Sequence, residues 1–229
     1  MSERTPERVA ARPTAPAARV LHALVALVIL VALVVQLALL FFSGTDTNTG
    51  ESLDEVPVAV RLARFVSYFT IQSNLFVLGT SIALALDPRR DGPVFRVLRL
   101  DALLGISITG IVYWTLLAPL VKLSGWGFVA GMGFHLVSPL AAVVFWVLVG
   151  PRPRITWSTL GWAFVWPIAW IAFTFLRGAI TGWYPYPFLD ASEIGWGPAL
   201  LATTGVLVLG VLLLLLFRWL DRRLPAAPR

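Results

Sequence analysis

Hydrophobic residues form six long runs along the chain, and short stretches rich in proline and charge separate them. Each run is close to the length of about 20 apolar residues that an α-helix needs to cross the hydrocarbon core of a bilayer. The second run has an earlier alternative start, because Pro57 comes shortly after two acidic residues and suits the first turn of a helix. The pattern predicts an all-α bundle of six transmembrane helices, at residues 20–42, 65–86, 100–120, 126–149, 157–176 and 197–219.

The segments outside these runs differ in character. Residues 1–19 are rich in Arg, Pro and Ala and are predicted to be a disordered basic tail, and residues 221–229 form a second basic tail. The first run is longer than the core of a signal peptide, so it is predicted to be retained as a helix. Residues 184–190, Tyr-Pro-Tyr-Pro-Phe-Leu-Asp, contain two prolines that prevent a helix. We expect this segment to fold over the bundle as a cap, because its large apolar groups would otherwise remain in water.

Composition supports an integral membrane protein with one transmembrane domain, residues 20–220. Of the 229 residues, 58% are hydrophobic and 13% are charged, whereas about 25% are charged in a typical soluble domain. The absence of cysteine excludes disulfides, thiolate metal sites and a cysteine nucleophile. The net charge of +6 does not indicate nucleic-acid binding, because the arginines are grouped at the ends of apolar runs rather than along one face.

Lysine and arginine are distributed unequally between the two sides of the predicted bundle. Fourteen of the eighteen lie in the tails or in connections on the same side as the tails. Because cytoplasmic segments carry an excess of Lys and Arg, both termini are predicted to be cytoplasmic. The acidic connection at 43–55 and the proline-rich connection at 178–195 would then face the outside.

Polar side chains at membrane depth are the natural candidates for function, because they are costly there and usually face a bundle interior or a cavity. Counted from the cytoplasmic ends of their helices, Thr70 and His135 lie about 24 and 21 Å from that side, and therefore at one level. Other polar residues singled out in the second, third and fourth predicted helices are Ser67, Gln72, Ser73, Asn74, Ser107, Thr109, Tyr113 and Ser138.

A hydroxyl beside an imidazole can act as a nucleophile, because the imidazole removes the proton that makes the hydroxyl a poor attacking group. Gln72, Asn74 or backbone amides freed by prolines would stabilise an oxyanion. A structural interpretation stands beside this one. A threonine in a membrane helix usually bonds its own backbone, and a single buried histidine is more often a packing residue than a base. Composition alone favours the structural interpretation.

Other membrane chemistries lack the residues that they require. A zinc hydrolase needs about three protein ligands, which the two histidines do not supply, and no cofactor is expected. A retinal protein needs a lysine inside the bundle, whereas Lys122, the only lysine, lies at a helix end. Residues 105–108, Gly-Ile-Ser-Ile, break the Gly-x-Ser-Gly motif of rhomboid proteases. All acids lie at helix ends or in loops, so a proton-coupled transporter lacks its carboxylate.

Three segments resemble a known family. They are Tyr-Phe-Thr-Ile-Gln-Ser-Asn at 68–74, Gly-Met-Gly-Phe-His at 131–135 followed by Pro139, and Thr-Gly-Trp-Tyr-Pro-Tyr-Pro-Phe-Leu-Asp at 181–190. They are similar to motifs of the androgen-induced-gene family of multipass membrane hydrolases, and the chain resembles bacterial relatives of unassigned function more closely. The resemblance implies a threonine nucleophile at Thr70, a histidine at His135, fatty acid esters of hydroxy fatty acids as substrates, and a bacterial plasma membrane.

The favoured hypothesis is a lipid ester hydrolase that acts within the membrane on a fatty acyl substrate. Two alternatives stay open, a non-catalytic lipid-binding protein of the same fold and a small-solute transporter, which the missing acids and repeats disfavour. The oligomeric state is not predicted. The polar residues at membrane depth predict a chamber that opens to the outer side, and Arg177 at its mouth would suit a carboxylate or phosphate head group. Besides Thr70 and His135, the candidates for substrate binding or oxyanion stabilisation are Gln72, Ser73, Asn74, Tyr113, Arg177 and Tyr186.

Overall fold

The computed structural model describes residues 15–43, 46–50, 52 and 54–225, and its secondary structure over these residues is helical, without a β-strand. Six of these helices are long and apolar enough to cross a membrane, which confirms the all-α prediction with six spanning segments. The six are α1 (Ala15–Phe42), α3 (Phe69–Leu86), α4 (Pro93–Leu117), α5 (Gly125–Val149), α6 (Trp157–Thr181) and α8 (Trp196–Arg223). Two short helices, α2 (Val58–Ser67) and α7 (Ala191–Ile194), lie in the connections.

Helix α4 is the centre of the bundle. It packs against α3, α5, α6 and α8, while α1 packs against α3 and α5. In the most apolar stretch of α4, 72% of the residues are buried, compared with 22% in α8. The exposed side chains of α1 and α8 are largely leucine and valine. Helices that are apolar on their outer faces as well as their inner ones are those of a membrane bundle.

The predicted second helix is interrupted. The sequence pattern indicated one helix from Pro57 or Phe65 to Leu86, but α2 ends at Ser67 and α3 begins at Phe69, with Tyr68 in an extended conformation between them. Trp170 of α6 stabilises the break, because its indole N–H donates to the Ser67 carbonyl at 2.9 Å. In a continuous helix the Ser67 carbonyl would accept from a backbone N–H four residues later, and here the indole takes the place of that donor.

The ends of several helices also differ from the prediction. Helix α1 begins at Ala15, so residues 15–19 are helical rather than part of a disordered tail, and Pro16 is well placed in the first turn of a helix. Residues 1–14 of the predicted tail lie outside the described residues. Helix α4 begins at Pro93, seven residues before the predicted start, again with proline in the first turn. Helix α8 extends to Arg223 and includes the first residues of the predicted C-terminal tail.

The bundle has two chemically distinct ends. The end that contains the starts of α1, α4 and α6 and the ends of α3, α5 and α8 is called the basic end here, and the opposite end is called the loop end. Residues 182–195, called the cap loop, cover the loop end. Tyr184, Tyr186 and Leu189 of this loop are buried, and the Asp190 carboxylate accepts hydrogen bonds from the first amides of α7. The predicted cap is therefore confirmed.

Candidate active site

Thr70 lies in the first turn of α3, one residue after the helix begins. The amides at the start of a helix have no partner within the helix. The backbone N–H of Thr70 instead donates to the Tyr186 hydroxyl at 3.1 Å. The interruption at Tyr68 thus places the Thr70 hydroxyl at the positive end of the α3 dipole, rather than in the middle of a longer helix as the sequence pattern indicated.

His135 lies in the middle of a π-helical turn, Gly133–Val137, within α5. Its Nδ1 is 3.0 Å from the carbonyl oxygen of Gly131. A carbonyl oxygen only accepts hydrogen bonds, so Nδ1 carries the proton and Nε2 of the neutral ring has a free electron pair. Nε2 is 3.4 Å from Thr70 Oγ1. The tautomer and the direction of the ring are therefore those of a base facing Thr70.

Two aromatic residues of α4 hold the histidine in place. The ring of Tyr113 stacks on the imidazole with a centroid distance of 3.8 Å and an angle of 12° between the planes. The indole N–H of Trp114 donates to the backbone carbonyl of His135 at 3.1 Å. In a regular helix that carbonyl would accept from residue 139, which is proline and has no N–H. Trp114 therefore replaces the donor that Pro139 lacks.

Tyr186 of the cap loop completes the hydrogen-bonded chain. Its hydroxyl is 3.2 Å from Thr70 Oγ1 and accepts the Thr70 N–H. Because the Thr70 hydroxyl donates its proton towards His135, Oγ1 accepts the proton of Tyr186. Burial raises the pKa of Tyr186 to about 12, so the phenol is protonated and acts as a donor near neutral pH.

An apolar cavity, partly open to the surroundings of the protein, borders Thr70. Helices α3, α4, α6 and α8 and the cap loop form the walls. His135 lies behind Thr70 and does not line the cavity. The polar residues in the lining are Thr70, Thr109, Tyr113, Tyr186 and Thr203.

The remaining sequence candidates have different positions. Asn74 is at the site as a support, because its amide donates to the Thr70 carbonyl at 2.9 Å and reaches the Phe134 carbonyl at 3.5 Å. Gln72 instead accepts from Trp166 and donates to the Val66 carbonyl.

Ser73 and Arg177 also form contacts other than with Thr70 or His135. The Ser73 hydroxyl donates to the carbonyl four residues earlier in its own helix. The guanidinium of Arg177 lies 4.4 Å from the ring centre of Trp183 at the loop end. The structure thus brings Asn74, Tyr113 and Tyr186 to the Thr70–His135 pair, and it gives Gln72, Ser73 and Arg177 other partners.

Two contributors to the site were not singled out from the sequence. One is Trp114, which Pro139 indirectly signals, because a proline inside a helix leaves a carbonyl that needs another donor. The other is Asp46, whose carboxylate accepts from the Tyr68 hydroxyl at 2.7 Å. Burial raises the pKa of Asp46. An acid in a loop between apolar runs has no pattern that would indicate this contact.

No group of three His, Cys, Asp or Glu side chains that could hold a metal occurs within the described part of the chain. The arrangement instead offers a hydroxyl, a base and a phenolic donor at the end of an apolar cavity. Comparison of the chain with protein-family models, with curated proteins and with solved structures gives no match.

Proposed function

We propose that this protein is an intramembrane lipid ester hydrolase, similar to the androgen-induced-gene family, in which Thr70 is the nucleophile and His135 the general base. One observation carries the proposal. Thr70 Oγ1 lies between the free electron pair of His135 Nε2, at 3.4 Å, and the Tyr186 hydroxyl, at 3.2 Å, on the wall of an apolar cavity. A nucleophile, a base and a donor within reach of one another are the parts that acyl transfer requires.

In the first half of the reaction, Thr70 attacks the carbonyl carbon of the ester while its proton passes to His135 Nε2. The negative charge that develops on the carbonyl oxygen is next to the first turn of α3, where the helix dipole favours an anion. The Tyr186 hydroxyl donates to this oxygen. The bond to the alcohol then breaks, the imidazolium returns the proton to the leaving alcohol, and the acyl group remains on Thr70.

In the second half, a water molecule replaces the alcohol. His135 takes one proton from the water, the resulting hydroxide attacks the acyl carbon, and the bond to Thr70 breaks as Oγ1 regains the proton. The products are a fatty acid and the regenerated threonine. The Gly131 carbonyl keeps Nδ1 protonated throughout, so the ring always presents Nε2 to the reacting atoms.

The cavity indicates the substrate class. Its walls are apolar apart from the five hydroxyl-bearing residues named above. Such a lining favours a long-chain acyl group over a charged or strongly hydrated molecule. Fatty acid esters of hydroxy fatty acids, with an apolar chain on both sides of the ester, fit this requirement.

Non-catalytic lipid binding is the second candidate function. It is favoured by the same apolar walls and by the burial of His135 behind Thr70. The two proposals differ in one property, because only the hydrolase forms a covalent bond through Thr70.

Labelling and hydrolysis by purified protein distinguish the two. Wild-type protein in detergent should react with an alkyl fluorophosphonate at Thr70, as located by peptide mass spectrometry, and should cleave a long-chain hydroxy fatty acid ester. Thr70→Ala and His135→Ala should lower the hydrolysis rate by about 10³-fold or more. Thr203→Ala is the matched control, because Thr203 lines the same cavity but bonds its own helix. Equal hydrolysis rates in Thr70→Ala and wild type would reject Thr70 as the nucleophile, and a folded wild-type protein that is neither labelled nor active would favour lipid binding.

We also propose that the basic end is cytoplasmic and that the protein resides in a bacterial plasma membrane. The excess of arginine at the basic end supports this orientation. The cap loop and the mouth of the Thr70 site would then be on the outer side.

A further inference from the structure

A second cavity lies at the basic end, at the opposite end of α4 from Tyr113. It is narrow and is formed by α4, the end of α5, the connection after α5 and the end of α8. A wider and more open recess shares Arg96, Arg154 and Ile155 with it and adds Arg222. The two spaces together are called the basic pocket here.

Positive charge exceeds negative charge in the basic pocket. Four arginines line it, Arg96, Arg99, Arg154 and Arg222, together with one acid, Asp221. Asp91, beside the pocket, binds Arg96 through two contacts of 2.7 Å and is 3.6 Å from Arg154. This carboxylate neutralises one of the two positive charges that Arg96 and Arg154 carry.

Two of the arginines have no carboxylate partner among the residues that the structure describes. Arg99 and Arg222 form no ion pair with any acid in the part of the chain that the structure describes. The pocket therefore retains a net positive charge of about two, which favours an anion.

Two buried polar atoms at the pocket have no hydrogen-bond partner among the described residues, Arg99 Nε and Asp221 Oδ1. Arg99 is only 7% exposed, and its guanidinium has one hydrogen bond within the described residues, to the Thr80 hydroxyl at 3.3 Å. Asp221 is 2% exposed, and its other oxygen accepts the backbone N–H groups of Arg154 and Ile155 at 2.8 Å. Buried charged groups normally have their hydrogen bonds satisfied, because leaving them unpaired is costly.

The floor of the pocket is apolar. Phe95, Leu100 and Leu103 of α4 and Trp146 of α5 line it beside the charged groups. Phe95 is the half-buried member of this lining, and a small inorganic anion would leave its ring uncovered, whereas an amphiphile would cover it with its chain. Basic pockets between transmembrane helices are places where anionic lipid head groups bind.

We propose that the basic pocket binds an anionic phospholipid whose head group carries a free hydroxyl. The phosphodiester oxygens accept from Arg99 and Arg222, the head-group hydroxyl donates to Asp221 Oδ1, and the start of an acyl chain lies on Phe95. This site is separate from the Thr70 cavity, and the proposal does not depend on the hydrolase function.

Lipid binding to the full-length protein in a neutral detergent tests the proposal, with bound lipid counted by native mass spectrometry. Phosphatidylglycerol has both the phosphate and the hydroxyl. It should bind at least about ten-fold more tightly than zwitterionic phosphatidylcholine, and more tightly than phosphatidic acid, which lacks the glycerol hydroxyl. Arg99→Gln should weaken phosphatidylglycerol binding by about ten-fold or more. Arg222→Gln, at an exposed position where folding is not at risk, should weaken it by about five-fold.

Arg223→Gln is the matched control. Arg223 is exposed at the same end and does not line the pocket, so the variant removes the same charge and should keep wild-type binding. Equal weakening in Arg222→Gln and Arg223→Gln would show a diffuse charge effect and overturn the site.

Equal binding of phosphatidylglycerol and phosphatidylcholine would also overturn the proposed site. Equal binding of phosphatidylglycerol and phosphatidic acid would overturn the role of Asp221. If soluble glycerol 3-phosphate at the same concentration displaced the lipid, the ligand would be a free phosphate ester rather than a phospholipid.

Discussion

The hydroxyl of Tyr186 links the cap loop to the candidate nucleophile through two atoms of Thr70, the amide nitrogen and Oγ1. It is the protonated group that can donate to the ester carbonyl oxygen as negative charge develops there. In the proposed mechanism this bond strengthens in the transition state, so its loss should affect the chemical step more than substrate binding. The ring itself packs against Tyr68, Trp170 and Phe188, so phenylalanine preserves the packing and removes only the oxygen.

We therefore expect Tyr186→Phe to lower kcat by about 10²-fold and to change KM by less than about three-fold. Steady-state kinetics on a long-chain hydroxy fatty acid ester measure both constants. Tyr184→Phe is the control, because Tyr184 is a second buried tyrosine of the cap loop that does not contact Thr70. A rise in KM at unchanged kcat, or equal losses in the two variants, would contradict a role for Tyr186 in the transition state.

At the scale of the helices, hydrophobic pattern was enough to predict six spans, their order and the cap. It was not enough to predict the interruption at Tyr68 or the π-helical turn around His135, because each has partners elsewhere in the bundle. Trp170 binds the carbonyl at the interruption, and Trp114 binds the carbonyl of His135. The Trp170 contact has no signature in the local sequence of α2 or α3, and Pro139 of α5 signals only that the His135 carbonyl needs another donor, not that Trp114 supplies it. The pairing of Thr70 with His135 was predictable from depth and resemblance, whereas the placement of Gln72 and Ser73 was not.

The approach of α3, α4 and α6 depends on Gly105. A Cβ at this position would be 2.7 Å from the Ser73 hydroxyl oxygen and 2.8 Å from the Trp166 ring. Gly105→Ala should therefore lower the free energy of unfolding by about 1–3 kcal/mol. Thermal unfolding in detergent provides the measurement.

Gly79→Ala of α3 is the matched control for this substitution. A Cβ at Gly79 meets nothing within 4 Å, and alanine has a higher helix propensity than glycine, so this variant should be as stable as wild type or more stable. A neutral Gly105→Ala, or a loss as large in Gly79→Ala, would contradict close packing at Gly105.

For the whole molecule, the basic residues of the loop end are fewer than those of the basic end, and several of them are bound to the protein itself. Arg61, one of the four basic residues assigned to the loop end, is buried, and its guanidinium donates to the backbone carbonyls of Leu40, Asp54 and Val56. These hydrogen bonds connect α2 to the end of α1. Arg64 and Arg177 both lie against the Trp183 ring. Few basic side chains at the loop end are therefore free to interact with the surroundings.

This asymmetry predicts the orientation of the molecule, and the absence of cysteine provides a direct test. Because the chain contains no cysteine, a variant with one introduced cysteine has a single thiol. Labelling by a membrane-impermeant maleimide therefore reports the position of that residue. Glu193 is exposed in the cap loop, and Arg223 is exposed at the basic end. Because excess arginine keeps a segment in the cytoplasm, Glu193→Cys should be labelled in intact cells and Arg223→Cys only after the membrane is permeabilised. The opposite pattern would place the Thr70 site on the cytoplasmic side, and labelling of both positions in intact cells would contradict a bundle whose two ends are separated by the bilayer.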